Sequence, residues 1–129
     1  MGSKISTIVI DAVDVDRVAA FWASVLGWEP GRDPDGDVVV ADPMQDSAIT
    51  LLAVQVPEAK TLKNRIHIDL HPTGVDQAEE LERLLGVGAV EVDVGQGDRS
   101  WIVLADPEGN EFCLLRRRLD ASETPAASE

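Results

Sequence analysis

The chain has one cysteine, Cys113, among 129 residues. That excludes an internal disulfide framework and every site built from several thiolates, such as a structural zinc knot. No apolar run approaches the roughly 18 to 20 residues that span a bilayer, and the N-terminus lacks the basic segment and apolar stretch of a secretory signal. A cytoplasmic protein with no membrane partner is expected. Basic residues are scarce, 11 Lys and Arg against 24 Asp and Glu, for a formal net charge of −13. A polyanion would be repelled over most of such a surface, so nucleic acid is not an expected partner either.

The composition, 44% hydrophobic and 27% charged, is that of a folded globular chain, and the length is that of one domain. Ile5–Ile10 is β-rich. Asp14 is a candidate N-cap and Gly27 a candidate stop, and between them Val18, Phe21, Trp22, Val25 and Leu26 mark one buried face, which predicts a helix from about 15 to 26. The run from Pro30 to Gly36 is turn chemistry, with strands expected at 38–41 and 49–56 and a further strand running from Trp28 into the turn.

The second half repeats the first. Ile66-His67-Ile68-Asp69 echoes Ile8-Val9-Ile10-Asp11, Leu84-Leu85-Gly86 echoes Val25-Leu26-Gly27, and Ile102–Pro107 echoes Val38–Pro43, in the same order. An internal duplication follows, each half β-α-β-β-β, with modules at about 4–58 and 63–118 of a single domain spanning 4–118. The second helix is predicted at about 75–86, with Ala78, Leu81, Leu84 and Leu85 inward and Glu79, Glu80, Glu82 and Arg83 outward. Strands are expected at 89–94, 100–105 and 111–117. Residues 119–129, rich in Ala, Ser, Glu and Pro, read as a disordered acidic tail.

Strand alternation then separates faces that could carry chemistry. Over 65–71, Ile66, Ile68 and Leu70 point one way, toward the helix, and Arg65, His67, Asp69 and His71 the other. The matching set in the first strand is Thr7, Val9 and Asp11. The last strand divides into Glu111, Cys113, Leu115 and Arg117 against Phe112, Leu114 and Arg116, with the inward side left open. His67 is a candidate metal ligand or acid/base group, the alternative being a histidine satisfied by a neighbouring carboxylate or backbone group. His71 reads as a loop residue and Cys113 as a small hydrophobe. Trp22 belongs to the core, whereas Trp28 and Trp101 could stack on a planar ligand or pack at a rim.

These residues resemble the vicinal oxygen chelate superfamily, and within it the small glyoxalase-like (glyoxalase/bleomycin-resistance/dioxygenase) proteins common in actinobacteria. The likeness spans about residues 5 to 117. It is carried by Ile8–Asp11 followed by Arg17–Trp28 (RVAAFWASVLGW), by Lys63–Leu70 (KNRIHIDL) and by Leu104–Leu115 (LADPEGNEFCLL). The resemblance implies an α+β fold in which the two βαβββ modules form a cupped mixed sheet with helices on its convex face, usually in a homodimer. Activity is left open, since members include metal-dependent lyases, isomerases, dioxygenases and thiol transferases as well as proteins that only sequester a drug.

The resemblance also implies where a metal would sit: one ligand from the first and one from the last strand of each module. His67 falls on one such position. Thr7 or Val9 falls on its first-module counterpart, Thr50 and Gln55 are the only candidates on 49–56, and Cys113 stands where a metal-binding member has Glu, with Glu111 two residues earlier. A catalytic metal usually takes about three protein ligands. The expectation is therefore a metal-independent protein, with no cofactor, that binds a small organic ligand in the sheet cavity. His67 is its candidate catalytic group, and Thr7, Trp28, Arg65, Asp69, Trp101, Glu111, Cys113 and Leu115 are its candidate ligand contacts. The alternative is a metal-dependent lyase, isomerase or dioxygenase in which His67 and Glu111 help to hold a divalent cation.

Overall fold

The computed structural model describes residues 1–120 and 122–123, in two compact units that divide between Lys60 and Thr61. The first contains β1 (Thr7–Ala12), α1 (Val15–Leu26), β2 (Glu29–Arg32), β3 (Val38–Ala41) and β4 (Thr50–Gln55). The second contains β5 (Asp69–Leu70), α2 (Gln77–Gly86), β6 (Val90–Glu91), β7 (Ile102–Ala105) and β8 (Glu111–Leu114). Each sheet has four strands, ordered β1-β4-β3-β2 in the first and β5-β8-β7-β6 in the second. In each, the first strand runs parallel to the last and the remaining pairs are antiparallel. The two βαβββ units thus share one topology, an α+β fold.

Helix α1 occupies the predicted span. The Asp14 side chain accepts a hydrogen bond from the Arg17 N–H at 3.1 Å, and Gly27 ends the helix at φ 69°, a left-handed conformation that glycine adopts without a Cβ penalty. Its apolar face packs on β3 and β4, burying Val18, Phe21, Trp22 and Val25 among Val38, Val40, Leu51 and Ala53. Phe21 and Trp22 meet edge to face, their ring centroids 5.4 Å apart.

The second helix departs from expectation. It starts at Gln77, because the Asp76 side chain caps it by accepting from the Glu79 N–H at 2.9 Å. Of the four residues predicted inward, Leu84 is buried and Leu81 half-buried, while Ala78 and Leu85 are exposed. Glu80, predicted outward, is half-buried and held by two 2.8 Å contacts from the Arg83 guanidinium.

Several second-unit strands are shorter than predicted, and side chains explain two of them. The expected strand over 65–71 contracts to Asp69–Leu70, with residues 65–66 in a bend and Ile66 84% exposed rather than turned toward a helix. Here the Asn64 N–H donates to the Glu111 carboxylate, and the His67 ring bonds the Asn64 carbonyl. Residues 92–94 leave β6 where Asp93 accepts from the Gly95 N–H and Gln96 from the Val94 N–H. The duplication extends to the turns: Asp42 accepts from the Met44, Asp46 and Ser47 N–H groups, and buried Asp106 from those of Glu108 and Asn110. Leu119, assigned above to the tail, is instead 3% exposed, pairs with Thr73 and donates its N–H to the Pro72 carbonyl, because an apolar side chain there has a core to join. The rest of the tail, at Ala121 and Thr124–Glu129, lies outside the described residues.

Candidate functional site

In the second sheet Phe112, Leu114 and Leu104 are nearly inaccessible, Leu70 pairs with Leu114, and all four share one face. The opposite face therefore carries Asp69, Glu111, Cys113, Val103 and Ala105, with Asp69 and Val103 flanking Cys113 in register. That assigns the side of β8 left open by the sequence: Glu111 and Cys113 point away from the aliphatic layer.

The chain entering β5 brings more polar groups to this edge. The Glu111 Oε1 accepts from the Asn64 N–H at 2.9 Å, and the Asn64 amide reaches the Glu111 carbonyl at 3.4 Å. His67 Nε2 lies 3.1 Å from the Asn64 carbonyl oxygen. A carbonyl only accepts, so Nε2 carries the proton and Nδ1 keeps the ring's lone pair. Lys63 Nζ is 3.4 Å from the same Nε2, and with the proton on Nε2 this contact gives the ammonium no acceptor.

Cys113 is buried beside a carboxylate. Its thiol is pushed up to about 11, first by burial, then by the neighbouring Asp69 charge and a hydrogen bond to that carboxylate, with Lys63 partly opposing them. At neutral pH the sulfur is therefore a protonated donor rather than a thiolate.

Arg65 is exposed in the bend before β5, two residues from His67. The other predicted residues are dispersed. Leu115 is buried, its N–H donating to the Leu70 carbonyl at 2.7 Å. Trp101 is half-buried just before β7 of the same sheet, where the Arg99 guanidinium carbon lies 5.8 Å from its ring centroid. Beside it opens a cleft of about 730 Å³ lined by Glu91, Asp93, Gln96, Asp98, Trp101 and Val103, among others. His71 is half-buried and bonds the Arg117 carbonyl through Nδ1 at 2.8 Å.

Thr7 and Trp28 lie in the first unit. Thr7 and Thr50 are paired in register with hydroxyls 3.2 Å apart, Val9 faces Leu52, and the Gln55 amide donates to the Val13 carbonyl. Trp28 is half-buried, and its N–H donates to the Ala23 carbonyl behind α1. Among the described residues no three His, Cys, Asp or Glu side chains gather as a cation site. Lys63 and Asn64 are members of the site that the sequence reading passed over. The available signal was the stretch from Ala59 to Ile68, which contains no acidic residue in a strongly acidic chain.

Several solved structures share this fold. The fosfomycin resistance protein FosX from Mesorhizobium loti aligns with a TM-score of 0.67 at 16% identity, over 89% of this chain and 92% of that one. A mutant of FosX from Listeria monocytogenes, solved with Mn(II) and a dihydroxypropylphosphonic acid, aligns at 0.63 and 17% identity, over 89% and 90%. The hypothetical protein SA1046 from S. aureus aligns at 0.64 and 18%, over 91% and 95%. At these identities the likeness is one of fold. No curated protein matches the chain, and among the described residues no helix is long and apolar enough to cross a membrane. The glyoxalase-like domain family matches residues 7–115, and with two βαβββ units of one topology the chain belongs to that family, within the vicinal oxygen chelate superfamily.

Proposed function

We propose that this protein binds a small organic ligand at the accessible end of its second sheet, beside His67, Asp69 and Glu111, using side chains in place of a divalent metal. The observation that carries this reading is the state of the donors around His67. Glu111 accepts the Asn64 N–H through Oε1, and among the described residues no three His, Cys, Asp or Glu side chains converge. A divalent cation wants about three ligands, so the donor set fits a cation poorly.

The same groups suit an organic molecule. They set fixed donors and acceptors beside the exposed apolar side chain of Ile66, the mixture typical of small-molecule sites. Adjacent strands lie about 4.8 Å apart, so β5 and β7 are separated by about 10 Å, the length of a ligand lying across β8 from His67. If the ligand is turned over, His67 Nδ1 is the group placed to take a proton from it. The reading includes a homodimer, supported by β1, an edge strand of the first sheet that exposes Ile8 and Val9.

Metal analysis of the purified protein, titration with Mn, Ni, Zn and Fe, and an NMR screen of small organic fragments test the proposal together. Fragments perturbing the His67 and Asp69 amides, lost in His67→Ala without stoichiometric metal, are the expected result. A tightly held metal released by His67→Ala would replace this reading with the metal-dependent one.

A further inference from the structure

We infer that the ligand of this site carries an oxyanion, a carboxylate or phosphate-type group, held by Lys63 and Arg65 beside His67. The inference rests on the small-ligand reading above and names the chemical class it takes.

Lys63 Nζ lies 3.4 Å from His67 Nε2, but Nε2 already donates to the Asn64 carbonyl at 3.1 Å and has no lone pair to offer. The ammonium therefore approaches a second donor with no acceptor between them, an arrangement that an anion's oxygens complete. Among the described residues neither Lys63 nor Arg65 forms an ion pair, whereas Arg32, Arg83 and Arg117 pair with Asp16, Glu80 and Glu123. Lys63, Arg65 and His67 are all exposed.

Two carboxylates stand on the same face, Asp69 bonded by the Cys113 thiol and Glu111 by the Asn64 N–H; both donors are neutral, so these charges work against an anion, and the two cations have to offset them. From Ala59 to Ile68 the chain has Lys60, Lys63 and Arg65 and no acidic residue. The net charge of −13 is spread over the whole protein, and at physiological ionic strength exposed charges beyond about 8 Å are largely screened. Short-range contacts with two cations then outweigh the distant excess for a small anion, though not for a polyanion that must cover more surface. Guanidinium and ammonium groups are the side chains that match carboxylate and phosphate oxygens.

Benzoate, phenyl phosphate and the neutral analogue benzamide are the probes, titrated into ¹⁵N-labelled full-length protein at constant ionic strength. Both anions are expected to shift the amides of residues 63–69 saturably, with benzamide weaker by about tenfold or more, as loss of a charge-assisted contact requires. Lys63→Ala combined with Arg65→Ala should remove that preference, and Lys63→Arg should retain it; the dispersion of each spectrum reports folding. If only one anion binds, the oxyanion class is confirmed and its source narrowed to carboxylate or phosphate. Equal binding of benzamide and the anions at these amides would overturn the inference while leaving the small-ligand reading intact. Failure of both anions to bind there, or an anion preference that survives the double substitution, would also overturn it.

Discussion

Asp69 and Cys113 stand side by side on the parallel strands β5 and β8, the buried thiol bonded to the carboxylate. The pair makes Cys113 a proton-holding group. Its thiol lies above its ordinary value near 9, at about 11, first through burial and then through Asp69. The native state therefore keeps this proton where the unfolded chain has lost it. This contribution to stability is complete below about pH 9 and is lost as the pH rises toward 11. Urea unfolding across that range should show wild type losing stability faster than Cys113→Ala. Asp69→Asn should remove only part of the difference, because burial is the larger cause.

Reactivity follows from the same state. A buried, protonated thiol is a poor nucleophile, so at pH 7.5 Cys113 should react with a disulfide reagent far more slowly in folded protein than in urea. Equal rates would show that the thiol is open to solvent or ionised.

Glu111 contributes to order. Its carboxylate accepts the Asn64 N–H at 2.9 Å, in the segment that would otherwise extend β5. Glu111→Ala strands that donor and should cost about 1 to 3 kcal/mol. Glu111→Gln retains an amide oxygen and should cost less. Hydrogen exchange at Asn64 checks the assignment: its amide should lose protection in the alanine variant before the α1 core does.

How far the sequence carried the fold can be seen by comparing the two helices. In α1 the cap, the apolar spacing and the glycine stop agree, and the span matches to the residue. In α2 the spacing was right but burial was not: Leu85 and Ala78 lie exposed while Glu80 is half-buried with Arg83. Periodicity names a helix, but which face is covered depends on what packs against it. The site was legible in the same partial way. His67, Asp69, Glu111 and Cys113 were identifiable by residue type and strand parity. Lys63 and Asn64 were not, because their roles arise from a bend that breaks the strand, and the partners that cause it are some 47 residues apart. The short Asp69–Leu70 strand has the same origin: alternation measures side-chain pattern, whereas the backbone donor before it had found a carboxylate instead of a ladder partner.

Core packing in the first unit gives a quantitative check. Trp22 is 2% exposed at the centre of the α1 face, so Trp22→Ala should cost about 3 to 5 kcal/mol, a large fraction of a small domain's stability. Asp14→Ala removes the cap to the Arg17 N–H and should cost about 1 kcal/mol. Thermal denaturation that ranks the two the other way would contradict this placement of α1.

The two histidines separate function from structure. His67 is exposed, and its one accepted hydrogen-bond partner is the nearby Asn64 carbonyl. Its removal should cost no more than about 1 kcal/mol. His71 is half-buried and ties the end of β5 to the Arg117 carbonyl across 2.8 Å, and leaving that carbonyl without its donor should lower stability more, by about 1 to 3 kcal/mol. Ligand binding should divide the other way, abolished in His67→Ala and retained in His71→Ala at temperatures where both are folded. Paired melting curves and NMR titrations of the two variants read both quantities. If His67→Ala melted well below His71→Ala while still binding the probes, the exposed imidazole would be a structural strut, and the site would have to be built without it.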